Sequence, residues 1–543
     1  MEYNLADLFE SIVDTVPDRE ALVHIDHPGT GTERRLTYAE LDAAANRIAH
    51  HLAANGIRSG DHVGLHLYNC VEYLQTALAC LKIRAVPVNV NYRYVQDELV
   101  YLYRDAELVA LVYDAEFSER VAAAAPQAPT LRHLLRVGAP PPGGAAPAPA
   151  PVDFADAAAS ASDERDFGPR SPDDQIVIYT GGTTGMPKGV MWRAEDLFFS
   201  GLGGGAPTGE PVKRPEELAE RVAAGGEGIV FFPTAPLMHG TSMLTAFIGF
   251  FFGQKVVLHC KYVPEEVLRT VERERVTSIS LVGDAMLRPL ADALAGALKG
   301  VDCSSLFSIS SSGAVLSQTV RDHVQQLIPN VMLLNNFGSS ESGFNGTATD
   351  DSGPGRGFRL RVNSRTAVVD PATYDPVAPG QVGRLAQRGH VPLGYYNDPK
   401  KTAETFFRSE DGERWVLLGD MATVDADGIV TVLGRGSQCI NTGGEKVYPE
   451  EVEEALKAHP DVYDALVAGV PDDTWGNRVA AVVQPRDGAE PPTLEQIQAH
   501  CRTRLAGYKI PRTLVVTEHI QRSPSGKADY RWARAVASGT LRA

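Results

Sequence analysis

The sequence between positions 178 and 190 reads IYTGGTTGMPKGV, in which an apolar strand runs into four glycines, three threonines and one lysine. Glycines let successive backbone N–H groups turn toward one anion, and threonine hydroxyls and a lysine add donors. A Walker loop needs Ser or Thr directly after its Gly-Lys pair, whereas Pro187 precedes Lys188 here and Gly189 follows it. The length and order of the string favour a phosphate-binding loop over a plain hydrophilic turn. Its candidate contacts are Thr180, Gly181, Gly182, Thr183, Thr184, Gly185 and Lys188.

Short apolar runs alternate with helical patterns on both sides of this loop. The strand-like runs lie at 61–67, 85–90, 107–114 and 175–180. Thr37, with Glu40 three residues later, forms a capping box that predicts a helix start, and Asn55-Gly56 predicts its end. Nearly continuous apolar strands between helices predict an α/β fold with largely parallel sheets covered on both faces.

The composition narrows the classes of protein. The chain has 543 residues, which is too long for one compact core and predicts two to four domains or subdomains. Its net charge of −17 argues against nucleic acid or anionic lipid as a general partner. Six cysteines without a CxxC pair indicate reduced thiols in a cytoplasmic protein. The N-terminus lacks the pattern of a signal peptide, and the longest apolar run, at 246–253, is too short to span a bilayer.

The string at 179–189 resembles the signature of the adenylate-forming superfamily, which includes acyl-CoA synthetases, peptide-synthetase adenylation domains and luciferases. The usual form has Ser where this chain has Gly182. Further family-like stretches follow in the family's order. They are PLMHGTS (236–242), SSGAVLS (311–317), NNFGSSESG (335–343), LLGD (417–420), LGRGSQCINTGGEKVYPEEVEE (433–454) and QRSPSGKADYR (521–531). The resemblance therefore covers essentially the whole chain.

This resemblance implies the domain organisation. A large N-terminal domain, residues 1–435, would consist of packed mixed sheets with helices plus a β-barrel-like subdomain, and would bind the acid and ATP. A small α+β domain, residues 436–543, would be a mobile C-terminal lid that carries the adenylation lysine. The hinge between them would be Ser437, a position where Asp or Lys is commoner in the family.

The resemblance also implies a nucleotide site. The turn with Gly313 and Ala314 would let the adenine approach closely, and Phe337 would stack on it. Asp420 would accept hydrogen bonds from the ribose hydroxyls, and Arg435 resembles the arginine that contacts ribose and phosphate. The ATP-binding set also includes Asn336, Gly338, Ser339, Ser340 and Lys527.

Four residues are implied as catalytic. Lys527 resembles the adenylation lysine, and His239 resembles the residue that gates the acyl site. Glu341, together with Thr184, would hold Mg²⁺, which prefers few carboxylates plus phosphate oxygens. In the thioester-forming state, the segment that approaches CoA would be provided by Gly443, Gly444 and Lys446.

The acyl pocket is expected between the 236–242 motif, the helix after it and the stretch LVGDAM (281–286). Leu244, Phe247 and Phe251 offer an apolar wall, although their helical spacing is equally typical of plain core. Asp284 could bond a polar substrate group or cap a helix, and the cap is favoured. The expected lining is His239, Gly240, Leu244, Phe247, Val282, Gly283 and Asp284.

The resemblance implies an ATP-dependent acyl-CoA synthetase, an acid–thiol ligase that uses ATP, Mg²⁺ and CoA. The stretches 281–294 and 436–454 resemble a subgroup of actinobacterial enzymes that handle long fatty acids and steroid side-chain acids. Three alternatives stay open: an acyl-AMP ligase that loads a carrier protein, an aryl-CoA ligase, and a catalytically silent nucleotide-binding module. The partners are expected to be small molecules, and a homodimer is left open.

Overall fold

The computed structural model describes residues 1–26, 32–140, 143, 146–181, 186–206, 209–314, 316–349, 358–442, 445–472, 475–522 and 527–541. The fold is α/β with two large mixed sheets, flanking helices and a smaller C-terminal sheet, so the predicted fold class is confirmed. Several predicted ligand-binding residues lie outside the described residues: Gly182, Thr183, Thr184, Gly185, Gly443 and Gly444.

The first sheet has a parallel half and an antiparallel half that share the long strand Met332–Ser339. The parallel half, with one antiparallel edge strand, contains Glu20–Ile25, Glu33–Thr37, Val230–Pro233, Lys255–His259, Ser278–Leu281 and Ser308–Ser311. The antiparallel half contains Gly343–Ala348, Phe358–Val362, Thr366–Val369, Val382–Arg388, Phe406–Arg408, Arg414–Val424 and Val430–Arg435. Because loops follow the carboxyl ends of parallel strands, ligands of α/β proteins bind at that edge.

The second sheet holds the predicted phosphate-binding strand. Its strands are His62–His66, Val86–Asn89, Ala110–Asp114, His133–Val137, Val152–Asp153, Gln175–Thr180, Lys188–Arg193 and Gly394–Tyr395. The four predicted strands at 61–67, 85–90, 107–114 and 175–180 are all present. The strand before the Gly-rich string pairs antiparallel with the strand after it, with Thr180 opposite Lys188.

Helices cover the faces of both sheets. The predicted capping box is present, because Thr37 accepts from the Glu40 amide and Glu40 accepts from the Thr37 amide. The helices of the N-terminal part are Leu5–Thr15, Tyr38–Ala54, Val71–Lys82, Gln96–Asp105, Ser118–Ala124, Phe154–Ala159, Ala194–Gly201, Glu216–Ala224, Gly240–Phe251, Pro264–Glu274, Gly283–Ala295, Gln318–Leu327 and Pro399–Thr405. In the described part of the chain, no helix is both long and apolar enough to cross a bilayer.

A third sheet is built from the last hundred residues. It contains Ile440–Thr442, Glu445–Val447, Val462–Asp472, Gly476–Pro485 and Thr513–Val516, and the helices Pro449–Lys457, Leu494–Arg502 and Tyr530–Ala537 pack on it. The sheet has its own hydrophobic core, centred on Val452, Val467 and Val483. The domain boundary between residues 435 and 436 stays a prediction.

Candidate active site

A large cavity runs along one face of the parallel strands of the first sheet, from their carboxyl ends at Gly313 to their amino ends at Phe307 and Met332. Its volume is about 1820 Å³, whereas ordinary ligand pockets measure roughly 300–1,000 Å³. Its walls come from both the N-terminal and the C-terminal sheets, since residues 239–241, 336–340 and 527–531 all line it. A cavity of this size can hold a nucleotide and a bulky second ligand together.

The nucleotide motifs meet on one side of the cavity. The predicted residues that line it are Thr180, Gly181, Gly313, Asn336, Phe337, Gly338, Ser339, Ser340 and Lys527. The Asn336 amide donates to Ser310 Oγ at 2.9 Å and accepts the Thr347 hydroxyl at 2.8 Å, which fixes its orientation. The Phe337 ring packs on Phe358 at 6.2 Å and presents to the cavity an aromatic group of the kind that stacks on a base.

Lys527 reaches this same side from the C-terminal sheet. Gly313 has φ +81°, and a Cβ placed on it would lie 3.8 Å from Lys527 Cε. The absence of a side chain at Gly313 therefore leaves room for the lysine beside the turn. Lys446, the other predicted C-terminal cation, is exposed on the strand Glu445–Val447 and does not line the cavity.

His239 lies at the start of the helix Gly240–Phe251 and faces the cavity. Burial, with the positive charges of Lys527 and Arg93, lowers its pKa to about 4. Its Nε2 is buried, and no hydrogen-bond partner for it exists among the described residues. The ring is therefore neutral at physiological pH and leaves Lys527 as the positive charge beside it.

Glu341 and Lys188 stand next to the cavity wall rather than in it. Glu341 Oε1 accepts the Tyr395 hydroxyl at 3.0 Å, and Lys188 Nζ lies 2.7 Å from Asp398 and 5.3 Å from the Tyr395 ring centre. Phosphate binding by Lys188 stays a prediction, and in the structure Lys188 forms an ion pair with Asp398. Tyr395 thus contacts both Lys188, on the strand after the Gly-rich string, and Glu341, the predicted metal ligand.

Two further predicted contacts also lie outside the lining. Asp420 is buried in the strand Arg414–Val424, where its backbone pairs with that of Arg435, and Ala314 follows the turn without facing the cavity. Of Arg435 and the predicted hinge residue Ser437, the structure describes the backbone only.

Some residues of the predicted acyl wall line the cavity and others do not. Gly240, Leu244 and Val282 line the cavity together with His239, but Phe247 does not. On the helix, Thr241, Leu244, Thr245 and Ile248 share the cavity face. Phe247 points into the core, where it packs on Phe250 and Phe251. The expectation for Phe247 was wrong because its position on the helix turns it toward the core.

Gly283 and Asp284 are also absent from the lining. Gly283 has φ +56°, and its amide donates to Ser311 Oγ at 2.9 Å. Asp284 Oδ1 accepts the Ser317 amide at 2.8 Å, at the start of the next helix, so it neither contacts the cavity nor caps its own helix. Both residues hold the turn that borders the nucleotide site.

A row of serines in the cavity was not anticipated. Ser278, Ser280, Ser308 and Ser310 line it, and they come from the strands Ser278–Leu281 and Ser308–Ser311. Buried parallel strands usually read as continuous apolar runs, but these read SISL and SISS. This period-two alternation is the signal that could have found them.

Two family models match the chain: "AMP-binding enzyme" matches residues 9–396, and "AMP-binding enzyme C-terminal domain" matches residues 451–527. The medium/long-chain-fatty-acid–CoA/3-oxocholest-4-en-26-oate–CoA ligase of Mycolicibacterium smegmatis is 45% identical, covering 99% of this chain and 97% of the relative. The 3-oxocholest-4-en-26-oate–CoA ligase of Rhodococcus rhodochrous is 43% identical, covering 98% and 96%. The solved structure of ATP-bound MatB from Rhodopseudomonas palustris matches with a TM-score of 0.79 at 26% identity over 99% of each chain.

Proposed function

Because the chain belongs to the AMP-binding enzyme family and is an acid–thiol ligase, we propose that it joins a hydrophobic carboxylic acid to CoA. The acid is a fatty acid or a steroid side-chain acid, and ATP is split into AMP and pyrophosphate. The observation that carries this proposal is the cavity itself. It combines the nucleotide motifs, Lys527 and an apolar helix wall in one space large enough for both substrates.

In the first step, a carboxylate oxygen of the acid attacks the α-phosphorus of ATP. A bond forms between this oxygen and the α-phosphorus. The bond between the α-phosphorus and the oxygen that bridges it to the β-phosphorus breaks, and pyrophosphate leaves. Two anions must approach each other, so preorganised positive charge at the point of attack lowers the barrier. Lys527 supplies it beside the Gly313 turn. Neutral His239 adds no charge to those of Lys527 and Arg93 beside it.

In the second step, the CoA thiolate attacks the acyl carbonyl, a carbon–sulfur bond forms, and AMP leaves with the acyl oxygen. Lys527 lines the cavity in the arrangement that the structure shows. We propose that the C-terminal domain rotates at Ser437 between the steps, so that Lys527 leaves and Gly443, Gly444 and Lys446 approach CoA.

The donors near the cavity fit Mg²⁺ that arrives with ATP. No cluster of three or more metal-binding side chains exists in the described ranges, and Mg²⁺ usually takes one or two carboxylates plus substrate phosphates. Glu341, next in sequence to the cavity-lining Ser340, would provide the carboxylate. The ion would neutralise charge on the phosphates while Tyr395 keeps the carboxylate oriented.

The location is proposed to be the cytoplasm. All six cysteines are free thiols, and four of them are buried. Unpaired cysteines in this number suit a reducing compartment.

The proposal is tested by pyrophosphate release from the full chain with fatty, aromatic and steroid carboxylic acids, each with and without CoA. We expect release with the fatty and steroid acids, together with formation of AMP and acyl-CoA. Release that yields acyl-AMP but no acyl-CoA would favour loading of a carrier protein. Release confined to aromatic acids would indicate an aryl-CoA ligase, and a chain that binds no ATP would refute the proposal.

A further inference from the structure

The floor of the acyl part of the cavity is one face of the parallel sheet. Along two strands, Ile279, Leu281 and Ile309 point into the hydrophobic core on the far side, while the alternate residues are serines that face the cavity. A parallel sheet of this kind needs no serines for its own stability. Four serines of these strands face the cavity, whereas Ser311 lies on the opposite face and accepts the Gly283 amide. The concentration of serines on the cavity face indicates that they serve what lies in the cavity.

The strand register groups these serines into rows. The outer row is the one farther from the carboxyl ends of the strands. In it, four residues lie side by side on neighbouring strands: Phe231, Ser278, Ser308 and Met332. In the next row, Ser280 pairs with Ser310. Ser312, at the carboxyl end, is four positions after Ser308, which is about 13 Å at roughly 3.3 Å per residue.

The two rows differ in the partners of their hydroxyl groups. In the inner row, Ser280 Oγ accepts the Thr245 hydroxyl at 3.2 Å, and Ser310 Oγ accepts the Asn336 amide at 2.9 Å. These bonds tie the sheet to the helix wall and to the nucleotide site. In the outer row, the Ser308 hydroxyl donates to Ser278 Oγ at 3.0 Å. Among the described residues no acceptor is found for the hydroxyl hydrogens of Ser278, Ser280 and Ser310, so each can donate to a ligand. Ser278 is the one of the three that lies in the outer row.

The outer end of the cavity is open. Ile229, Phe307 and Met332 line it and are 45%, 64% and 46% exposed. A wall at this end would select acids by length, but an open, apolar rim imposes no such limit. Selection among long acids must then come from polar contacts along the way, and Ser278 and Ser308 provide the outermost pair on the sheet.

We propose that Ser278 and Ser308 are specificity-determining residues that bind a carbonyl or hydroxyl oxygen at the distal end of a rigid polycyclic acid, with Ser278 as the donor. The inference rests on the proposed function. The fused rings hold the distal oxygen rigidly at the far end of the acid, and the flexible side chain between the rings and the carboxylate lets that oxygen reach a fixed hydroxyl pair. A plain alkyl acid has no oxygen there and passes over the serines along the apolar side of Leu244 and Ile248.

The test compares three acids: 3-oxocholest-4-en-26-oic acid, its analogue without the 3-oxo group, and palmitic acid. The kcat/KM for pyrophosphate release is measured for the wild type, Ser278→Ala and Ser308→Ala. A neutral hydrogen bond is worth about 0.5–1.5 kcal/mol, which corresponds to roughly two- to tenfold. We expect the wild type to prefer the oxo acid over its analogue by that factor, and both variants to lose the preference while keeping palmitate activity.

Ser305→Ala is the matched control, because Ser305 lies just before the same strand and donates to the Val276 carbonyl at 2.8 Å, outside the cavity. Its preference should equal that of the wild type. An oxo-to-analogue ratio that is near one in the wild type, or that survives in both serine variants, would overturn the inference. If no acid releases pyrophosphate, the proposed function fails instead, and calorimetric binding of the two steroid acids to the same variants still tests the serines.

Discussion

Asp284 Oδ2 lies 3.7 Å from Lys457 Nζ, and both side chains are only 5% exposed. Asp284 is on the helix Gly283–Ala295 beside the nucleotide site, and Lys457 ends a helix of the C-terminal sheet. The Gln318 amide also donates to Glu454 Oε1 at 3.0 Å across the same contact. These buried contacts stabilise the relative position of the first and the C-terminal sheets in which Lys527 lines the cavity.

Lys457→Met is expected to slow the adenylation step about tenfold and to leave the thioester step within about twofold. Removing one partner of a buried pair costs about 3–5 kcal/mol, because the remaining charge is uncompensated. Lys457 Nζ lies 3.7 Å from Asp464 Oδ1 of the C-terminal sheet as well as from Asp284 Oδ2, so only part of that cost falls on the arrangement in which the two helices touch. The measurement compares pyrophosphate release with acyl-CoA formation from synthetic acyl-AMP.

Lys509→Met is the control for this variant, because Lys509 pairs with Glu451 within the C-terminal domain. It should leave the ratio of the two half-reactions unchanged. If Lys457→Met slowed both half-reactions equally, the contact would have no preference for the arrangement described here.

Lys527→Ala is expected to lower pyrophosphate release by at least a hundredfold, since the variant lacks the cation at the point of attack. Acyl-CoA formation from acyl-AMP should continue, because the thiol attack does not use this lysine. Lys446→Ala, on the exposed strand, should show the reverse split. Unchanged adenylate formation in Lys527→Ala would refute the role given to this lysine.

Tyr395→Phe is expected to raise the Mg²⁺ concentration for half-maximal activity about tenfold, the lower end of the effect of losing an outer partner of a metal ligand. The variant removes the hydroxyl that donates to Glu341 Oε1. A Mg²⁺ titration at fixed ATP measures the shift. Tyr396→Phe is the neighbouring control, because the Tyr396 hydroxyl donates to Glu107 instead. An equal shift in both variants would contradict the assignment of Glu341.

His66→Phe is expected to reduce the acid sensitivity of the fold. His66 is buried and stacks on Phe117 at 4.6 Å, and burial lowers its pKa to about 3. The ordinary histidine pKa is about 6.5. Between these values the unfolded chain binds a proton that the folded chain does not, so the free energy of unfolding falls as the pH drops from 6.5 toward 3.

Scanning calorimetry at pH 7.5 and pH 5.0 measures this effect as a difference in Tm. The Tm of the variant should drop less between the two pH values than that of the wild type, by roughly 2 °C or more. Equal drops in the two proteins would show that His66 does not contribute to the pH dependence.

The nucleotide side of the site could be predicted from sequence because its chemistry lies in loops whose residues are contiguous. Phe337 and Ser340 line the cavity as expected, since a short string after a strand fixes both of them. The position of Lys527 beside Gly313 could not be predicted. It depends on how two separately folded sheets meet, through pairs such as Asp284 with Lys457.

The acyl side was less predictable because it depends on which way each element faces. Leu244 and Phe247 are both apolar and lie one turn apart, yet only Leu244 faces the cavity. The polar residues Thr241 and Thr245 lie on the cavity face at helical spacing. The rotation of the helix that turns Phe247 away from this face is set by packing on Tyr38 and Phe9. The serine rows were predictable in principle, since their alternation is visible in the sequence.

The alternation of isoleucine and serine along the floor strands has a consequence for how such enzymes diverge. Ile279 and Ile309 secure the sheet, while their neighbours Ser278 and Ser308 face the ligand space. Substitutions at the positions that face the cavity can therefore alter which acids are accepted while the core residues that stabilise the sheet stay the same. Fold stability and substrate choice therefore depend on alternate residues of the same short strands, so selection can act on each property separately.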